Sequence, residues 1–337
     1  MTQVYASLPL VTDEERAAIL ASARTSHAHA QLMASIPAMT GLQAGGQGTK
    51  QRLPASFRAA AWNVERCLFP EKSAAHVAEH SPNVILLSEM DDGMARTAQR
   101  DTTAVMAQSL RMHHVFGVEF FELDLGGETE RKYCTHDVNF KGWHGNAILS
   151  SVPFEALALF RLDVDGHWFA PNGAVPTDPN QPRIGGRMAV AAILPGETGP
   201  VCVAATHLES NSGVQNRAQE FMRLLDEIDA FAPGLPVLVG GDLNTGNHVP
   251  PDFDWRQETL FDLARERGYS FDLTAEGHTT RASLITPHQT RRMKLDWFCS
   301  RGMTGAPRPV LPSLDPDGTA LSDHECILCD VSQYAAV

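Results

Sequence analysis

The sequence predicts an α/β fold, and three observations carry that expectation. Short β-rich runs recur along the chain, helical patterns separate several of them, and the chemically competent polar residues gather where the runs end. The runs are FRAAAWNV, NVILLSE, GNAILSS, MAVAAIL, VCVAATHLE, PVLVGGDLN, LDWFCS and CILCDVS. Each is short and largely apolar, as strands covered on both faces are. Among the separating segments, EKSAAHVAEH and DTTAVMAQSLRMH have helical patterns. NRAQEFMRLLDEIDAFA sets Phe221, Leu224, Leu225 and Ile228 on one stripe ahead of a Pro-Gly stop. The stretch from Gly117 to Lys141 and the Pro-rich one from Asp163 to Pro182 show little periodicity, so both are expected to be surface loops. No internal repeat is present.

Residues 1–55 differ in character from the rest. Thr12 and Glu15 make a capping box ahead of an Ala-rich stretch that predicts one or two helices, and GLQAGGQGTKQ then reads as a flexible Gly/Gln linker. The expected organisation is a helical extension with a linker over 1–55 and one catalytic domain over 56–337. His27 and His29 stand two apart on a helix, diverge in direction and are expected to be solvated.

The chain has 337 residues, enough to bury a sizeable core, with 27 basic against 40 acidic residues and a net charge of −13. That balance is a poor match for a long polyanion held by its backbone phosphates and favours a smaller phosphorylated partner. No Lys/Arg cluster interleaved with aromatics stands out. The N-terminus lacks a basic segment followed by a continuous apolar run, and nothing approaches a membrane span, so the expected location is cytoplasmic. Six cysteines are scattered without a disulfide framework. Cys326 and Cys329, three apart in a strand, should face opposite sides.

The polar strand ends are the informative residues. WNVER places Asn63 and Glu65 two apart at the end of a strand, where they face the same way and both can point into one site. Glu89 closes an apolar strand, where a carboxylate serves as metal ligand, ion-pair partner or solvated end. GGDLNTG delivers Asp242 and Asn244 on one side: an Asp to accept a proton from water or orient it, and an amide to donate to a phosphoryl oxygen, or else a plain Asp/Asn turn. LSDHE supplies adjacent Asp323 and His324, and LDWFCSRG supplies Asp296. A carboxylate on one imidazole nitrogen fixes the tautomer and leaves the other nitrogen for water or substrate. His207 in ATHLES is a structural histidine or a donor to phosphate and leaving group.

The order WNVER, LLSEMD, GNAILS, THLES, GDLN, LDWF and SDH resembles the endonuclease/exonuclease/phosphatase superfamily, from about Phe57 to Ser332. The resemblance implies a four-layer sandwich, two mixed β-sheets face to face with helices outside. It also implies a divalent-metal-dependent phosphoric ester hydrolase using magnesium, with manganese or calcium as substitutes. Asn63, Glu89 and Asp323 would attend the metal, with Glu65 a possible second contact. Asp242, Asn244, His207, Asp296 and His324 would act on water and phosphate, and His144, Asn146 and Arg187 would support the site. A small or lipid-derived phosphodiester is the expected substrate, a DNA or RNA nuclease the alternative, and an inactive binding module on the same fold the third possibility. GGDLNTG and LDWFCSRG lack the tryptophan-bearing motifs of inositol polyphosphate 5-phosphatases. SNSGVQNRAQEFMRLL resembles a bacterial-type group, with Arg217 and Gln219 expected on a solvated helix face.

Overall fold

The computed structural model describes residues 2–163, 166–170, 183–251, 253–288 and 291–336. Two mixed sheets form its centre. The larger takes β1 (Gln3–Tyr5), β2 (Gly41–Gly46), β3 (Phe57–Arg66), β4 (Val84–Asp92), β5 (His113–Glu122), β6 (Trp143–Ser150), β8 (Arg183–Gly185), β13 (Met303–Pro307) and β14 (Ile327–Tyr334). The smaller takes β7 (Ala156–Arg161), β9 (Met188–Leu194), β10 (Val201–His207), β11 (Val237–Asp242) and β12 (Asp296–Arg301). Their orders are β1-β2-β5-β6-β4-β3-β14-β13, with β8 beside β5, and β12-β11-β10-β9-β7.

Three apolar layers hold the sandwich together. Between the sheets, Ala61, Leu86 and Ile148 meet Val190, Val203 and Phe298. Outside the larger sheet lie Trp62, Val64 and Leu87, covered by α1 (Asp13–Ala21), α2 (Ser26–Ser35), α3 (Pro70–Ala78) and α4 (Thr102–Leu110). Outside the smaller sheet, α6 (Val214–Phe231) buries the predicted stripe Phe221, Leu224, Leu225 and Ile228, beside α7 (Leu260–Glu266); the short α5 (Glu128–Arg131) lies in a connection. The four-layer sandwich is therefore the observed fold. Cys326 lies in the outer layer and Cys329 in the inter-sheet layer, both buried, as their spacing predicts. Among the described residues no helix is long and apolar enough to cross a membrane.

The capping box forms, with Thr12 accepting from the Glu15 amide and the Glu15 side chain accepting from the Thr12 amide. Three expectations change. The glycines read as a linker form β2, paired antiparallel to β5 from Leu42↔Gly117 to Gly46↔His113. The loop expected from Gly117 begins instead with the second half of β5, where Glu119 and Glu122 are buried in ion pairs and so erase the apolar signature of a buried strand. His29 is buried, accepting from the Gly185 amide through Nε2 at 3.0 Å, while His27 is exposed. Most of the loop expected from Asp163 to Pro182 lies outside the described residues.

Candidate active site

Two parallel strand pairs aim their C-terminal ends at one edge of the sandwich. β3 and β4 are parallel, joined through α3, and end near Asn63 and Glu89; β10 and β11 are parallel, joined through α6, and end on the paired residues His207 and Asp242. β12 runs antiparallel to β11, so its first residue, Asp296, stands opposite Asp242. Gly240 allows β11 to lie close to the larger sheet, since a Cβ there would meet Leu86 Cδ1 at 2.7 Å and Ala61 Cβ at 3.0 Å.

Local backbone irregularities aim the side chains. Glu89 has φ +60° and Asn244 has φ +50°, left-handed values unusual for residues with side chains, and the pairing of β4 with β6 shifts register between Leu87 and Met90. The same device redirects Glu65, whose φ is +43° where the β3 and β4 register slips between Asn63 and Arg66. Two-residue alternation is lost there, and Glu65 does not line the cleft as expected. Its carboxylate instead accepts from the Ser283 and Thr286 hydroxyls at 2.6 and 2.7 Å.

Glu89, His207, Asp242, Asn244, Asp323 and His324 line one cleft of about 300 Å³, with His144 and Arg187 in its wall. Asn63 lies beneath, its Nδ2 donating to Glu89 Oε1 at 3.0 Å and to Asp242 Oδ2 at 3.1 Å. His324 Nδ1 contacts Asp296 Oδ2 at 2.8 Å. The backbone amide of Asn244 donates to Asp242 Oδ1 at 2.8 Å, while one hydrogen of its side-chain amide goes to Leu208 O at 3.0 Å. Donor atoms of Asp242, Asp296 and His324 all fall within 4.8 Å of one another.

Around this centre lies a belt of buried charge. Arg187 reaches Glu119 Oε1 at 2.7 Å, Glu209 Oε2 at 3.0 Å and His207 Nδ1 at 3.0 Å. His144 Nδ1 meets Asp91 Oδ1 at 2.8 Å. Arg66 pairs with Glu89 and, at 2.9 Å, with Glu130. Burial alone would raise the Glu89 carboxyl, but Arg66, His207, His144 and Asn63 hold it well below its usual range. Burial works against a charged His324, yet Asp296 and Asp242 lift its pKa well above the ordinary histidine value.

Glu65 and Asp323, unlike Glu89, are under-neutralised. Burial pushes Glu65 up to about 8, with Asp323 and Glu89 adding to the shift. Burial likewise pushes Asp323 up to about 6, helped by Glu89. Carboxylates raised by burial and by a neighbouring carboxylate are a setting in which a small hard cation is favourable, and the carboxylate and amide oxygens of Glu89, Asp323 and Asn63 suit such an ion.

Asn146, expected to support the site, and Arg217, expected on a solvated helix face, lie differently from expectation. Asn146 is buried on the inter-sheet face and donates to Met188 O at 3.0 Å, tying the sheets together outside the cleft lining. Arg217 is fully buried, with Glu258 Oε1 at 2.5 Å, whereas Gln219 is exposed. The structure adds Arg66, Phe120, Trp168 and Arg183 to the cleft. Arg66 is the last residue of WNVER, and a charge so placed is the one available signal; Phe120 sits in the segment expected to be a loop.

The profile of the Endonuclease/Exonuclease/phosphatase family matches residues 60–324. No curated protein matches the chain. Among solved structures, an endonuclease/exonuclease/phosphatase from Beutenbergia cavernae DSM 12333 is similar at TM-score 0.60 and 19% identity, covering 84% of this chain and 72% of that one. The human nocturnin catalytic domain with bound sulfate gives 0.54 and 17%, over 86% and 97%. A functionally unknown conserved protein from Enterococcus faecalis V583 gives 0.52 and 15%, over 83% and 100%. These similarities concern the fold.

Proposed function

Because the chain belongs to the Endonuclease/Exonuclease/phosphatase family, we propose that it is a divalent-metal-dependent phosphodiesterase of a small or lipid-derived phosphate ester, cleaving by in-line attack of water. The observation that carries this reading is the meeting of Asn63, His207 and His324 on a single oxygen, Asp242 Oδ2, at 3.1, 3.5 and 3.5 Å. Residues from β3, β10, β11 and the turn before β14 thereby address one point. Such convergence of donors on a carboxylate inside a cleft of about 300 Å³ is what positioning a nucleophile and a phosphoryl group requires.

Glu89, Asn63 and Asp323 would hold the cation, which supplies charge neutralisation at the phosphoryl and leaving-group oxygens. Asp242 orients the attacking water. Asp296 fixes the ring of His324 through Nδ1, so that Nε2 faces the cleft to act on that water and to stabilise charge gathered on phosphorus-bound oxygens. His207, held by Arg187 and Glu119, presents Nε2 to phosphate and leaving group. Asn244 retains a second amide hydrogen for a phosphoryl oxygen.

The test is hydrolysis of bis(p-nitrophenyl) phosphate, p-nitrophenyl phosphate, a choline phospholipid and plasmid DNA, each with magnesium, manganese or chelator. Metal-dependent cleavage of the small diester or the phospholipid, with intact plasmid, is the expected pattern. Rapid plasmid nicking would move the protein to the nucleases, and no turnover of any substrate with any metal would end the hydrolase reading.

A further inference from the structure

Met293 belongs to two walls at once: it lines the active-site cleft and also a neighbouring groove of about 400 Å³. Arg256, Arg292 and Lys294 line that groove, with Asp254 and Glu276 as its acids. Arg291 lies beside it, its guanidinium 3.4 Å from the Phe253 ring centre. In a chain of net charge −13 this is a local excess of cations. Arg291, Arg292 and Lys294 fall in one short run of the sequence, and the fold brings the distant Arg256 to it.

The cations are incompletely neutralised. Asp254 is committed to Arg256 at 3.1 Å, while Arg292 has no ion-pair partner among the described residues. Lys294 has a side chain only 4% exposed, with its ammonium 4.1 Å from the Trp297 ring centre, and its counter-ion Glu276 is 88% exposed at 3.6 Å. A buried ammonium facing a solvated carboxylate leaves residual positive potential in the groove.

The groove is also rigidly linked to the site. Residues 291–295 form an irregular strip fixed along its length: Thr280 Oγ1 donates to Arg291 O, Met293 N donates to Thr280 Oγ1, Thr245 Oγ1 donates to Lys294 O, and Leu243 N donates to Leu295 O. The next residue is Asp296. Four residues cannot span more than about 14 Å, so the Arg292 backbone lies within that distance of the Asp296 backbone.

We propose that this groove is a second anion subsite, and that the substrate carries another phosphate set back from the scissile one. The identification of a scissile ester rests on the function proposed above; the binding of a second phosphate does not.

Calorimetric titration of the full chain tests it. The probes are adenosine 3′,5′-bisphosphate against adenosine 5′-monophosphate, and inositol 1,4-bisphosphate against inositol 1-phosphate, with wild type and the exposed double variant Arg256→Ala/Arg292→Ala. In wild type at low salt, one of the bisphosphates should bind about tenfold or more tightly than its monophosphate, as an added charge-assisted contact supplies. That advantage should shrink with added salt and vanish in the double variant, with monophosphate binding and thermal midpoint unchanged. Which pair shows the advantage distinguishes a nucleotide from a polyol source. Equal binding within both pairs in wild type, or an advantage that survives the double substitution, overturns the subsite. Turnover of bis(p-nitrophenyl) phosphate reads the hydrolase separately: a protein that cleaves it without preferring any bisphosphate keeps the proposed activity and loses the subsite.

Discussion

His207 and His324 place their Nε2 atoms at the same distance, 3.5 Å, from one oxygen of Asp242. The far side of each ring is fixed by different acids, Glu119 for His207 and Asp296 for His324. The two imidazoles therefore approach one carboxylate from separate elements, with Asp242 as their common support. Asp242→Asn keeps the shape and removes the charge that both rings face. It should lower kcat for bis(p-nitrophenyl) phosphate by at least about 10²-fold, as should His324→Ala, with unchanged circular dichroism. A folded Asp242→Asn protein with wild-type turnover would separate this carboxylate from the chemistry.

A cation bound among Asn63, Glu89 and Asp323 should stabilise the folded chain as well as support turnover, because a ligand that prefers the native state raises its unfolding free energy. Millimolar manganese should raise the thermal midpoint of wild type after chelator treatment and leave that of Glu89→Gln nearly unmoved. Chelator should remove hydrolysis, and magnesium or manganese should restore it. An equal thermal shift in both proteins would place the ion elsewhere.

How far the sequence led depended on whether a residue's role is local. The strand ends at Asn63, Glu89, His207 and Asp242 were legible because a rigid apolar run followed by a polar residue marks both the strand and its edge. Glu65 shows the limit: alternation put it beside Asn63, but a positive φ turned it toward Ser283 and Thr286, hydroxyls distant in the chain. Glu119 failed in another way. Its burial is made tolerable by Arg187, which lies on the other side of an unperiodic stretch, so the charge disguised a central strand as a loop. Gly41–Gly46 pairs through its backbone, and with Leu42, Gln43 and Ala44 as its only side chains it is too short to show an alternating pattern.

Close approach of the sheets under the site makes Gly240 intolerant of a side chain. A Cβ there meets Leu86 and Ala61, both in the buried inter-sheet layer, so Gly240→Val has to push the sheets apart or distort β11. Urea denaturation should show a loss of roughly 1–3 kcal/mol or more, as overpacked cores do. Because β11 ends on Asp242, activity of the folded fraction should fall too. Wild-type stability in Gly240→Val would mean that the sheets stand farther apart than described.

Glu220 supplies the pH dependence. It is buried on α6, with Oε2 accepting from the Glu209 amide at 2.9 Å and Oε1 accepting from Asn216 Nδ2 at 3.0 Å. Burial pushes its carboxyl up from 4.5 to about 8, and the nearby Glu209 charge adds to the rise despite the opposing amide hydrogen bond. In the unfolded chain it ionises near 4.5, while in the folded chain it keeps its proton until about 8. The unfolded state thus binds fewer protons across this window, so the contribution of Glu220 to stability is full below 4.5 and is lost as pH rises toward 8, by on the order of a few kcal/mol. Glu220→Gln keeps the acceptor for the Glu209 amide and asks only that the Asn216 amide turn over to accept from the new NH₂ group. Chemical denaturation at pH 5 and pH 8 should therefore find Glu220→Gln more stable than wild type at pH 8, with a much smaller difference at pH 5. A difference that is the same at both pH values would show that Glu220 ionises alike in the folded and unfolded chains.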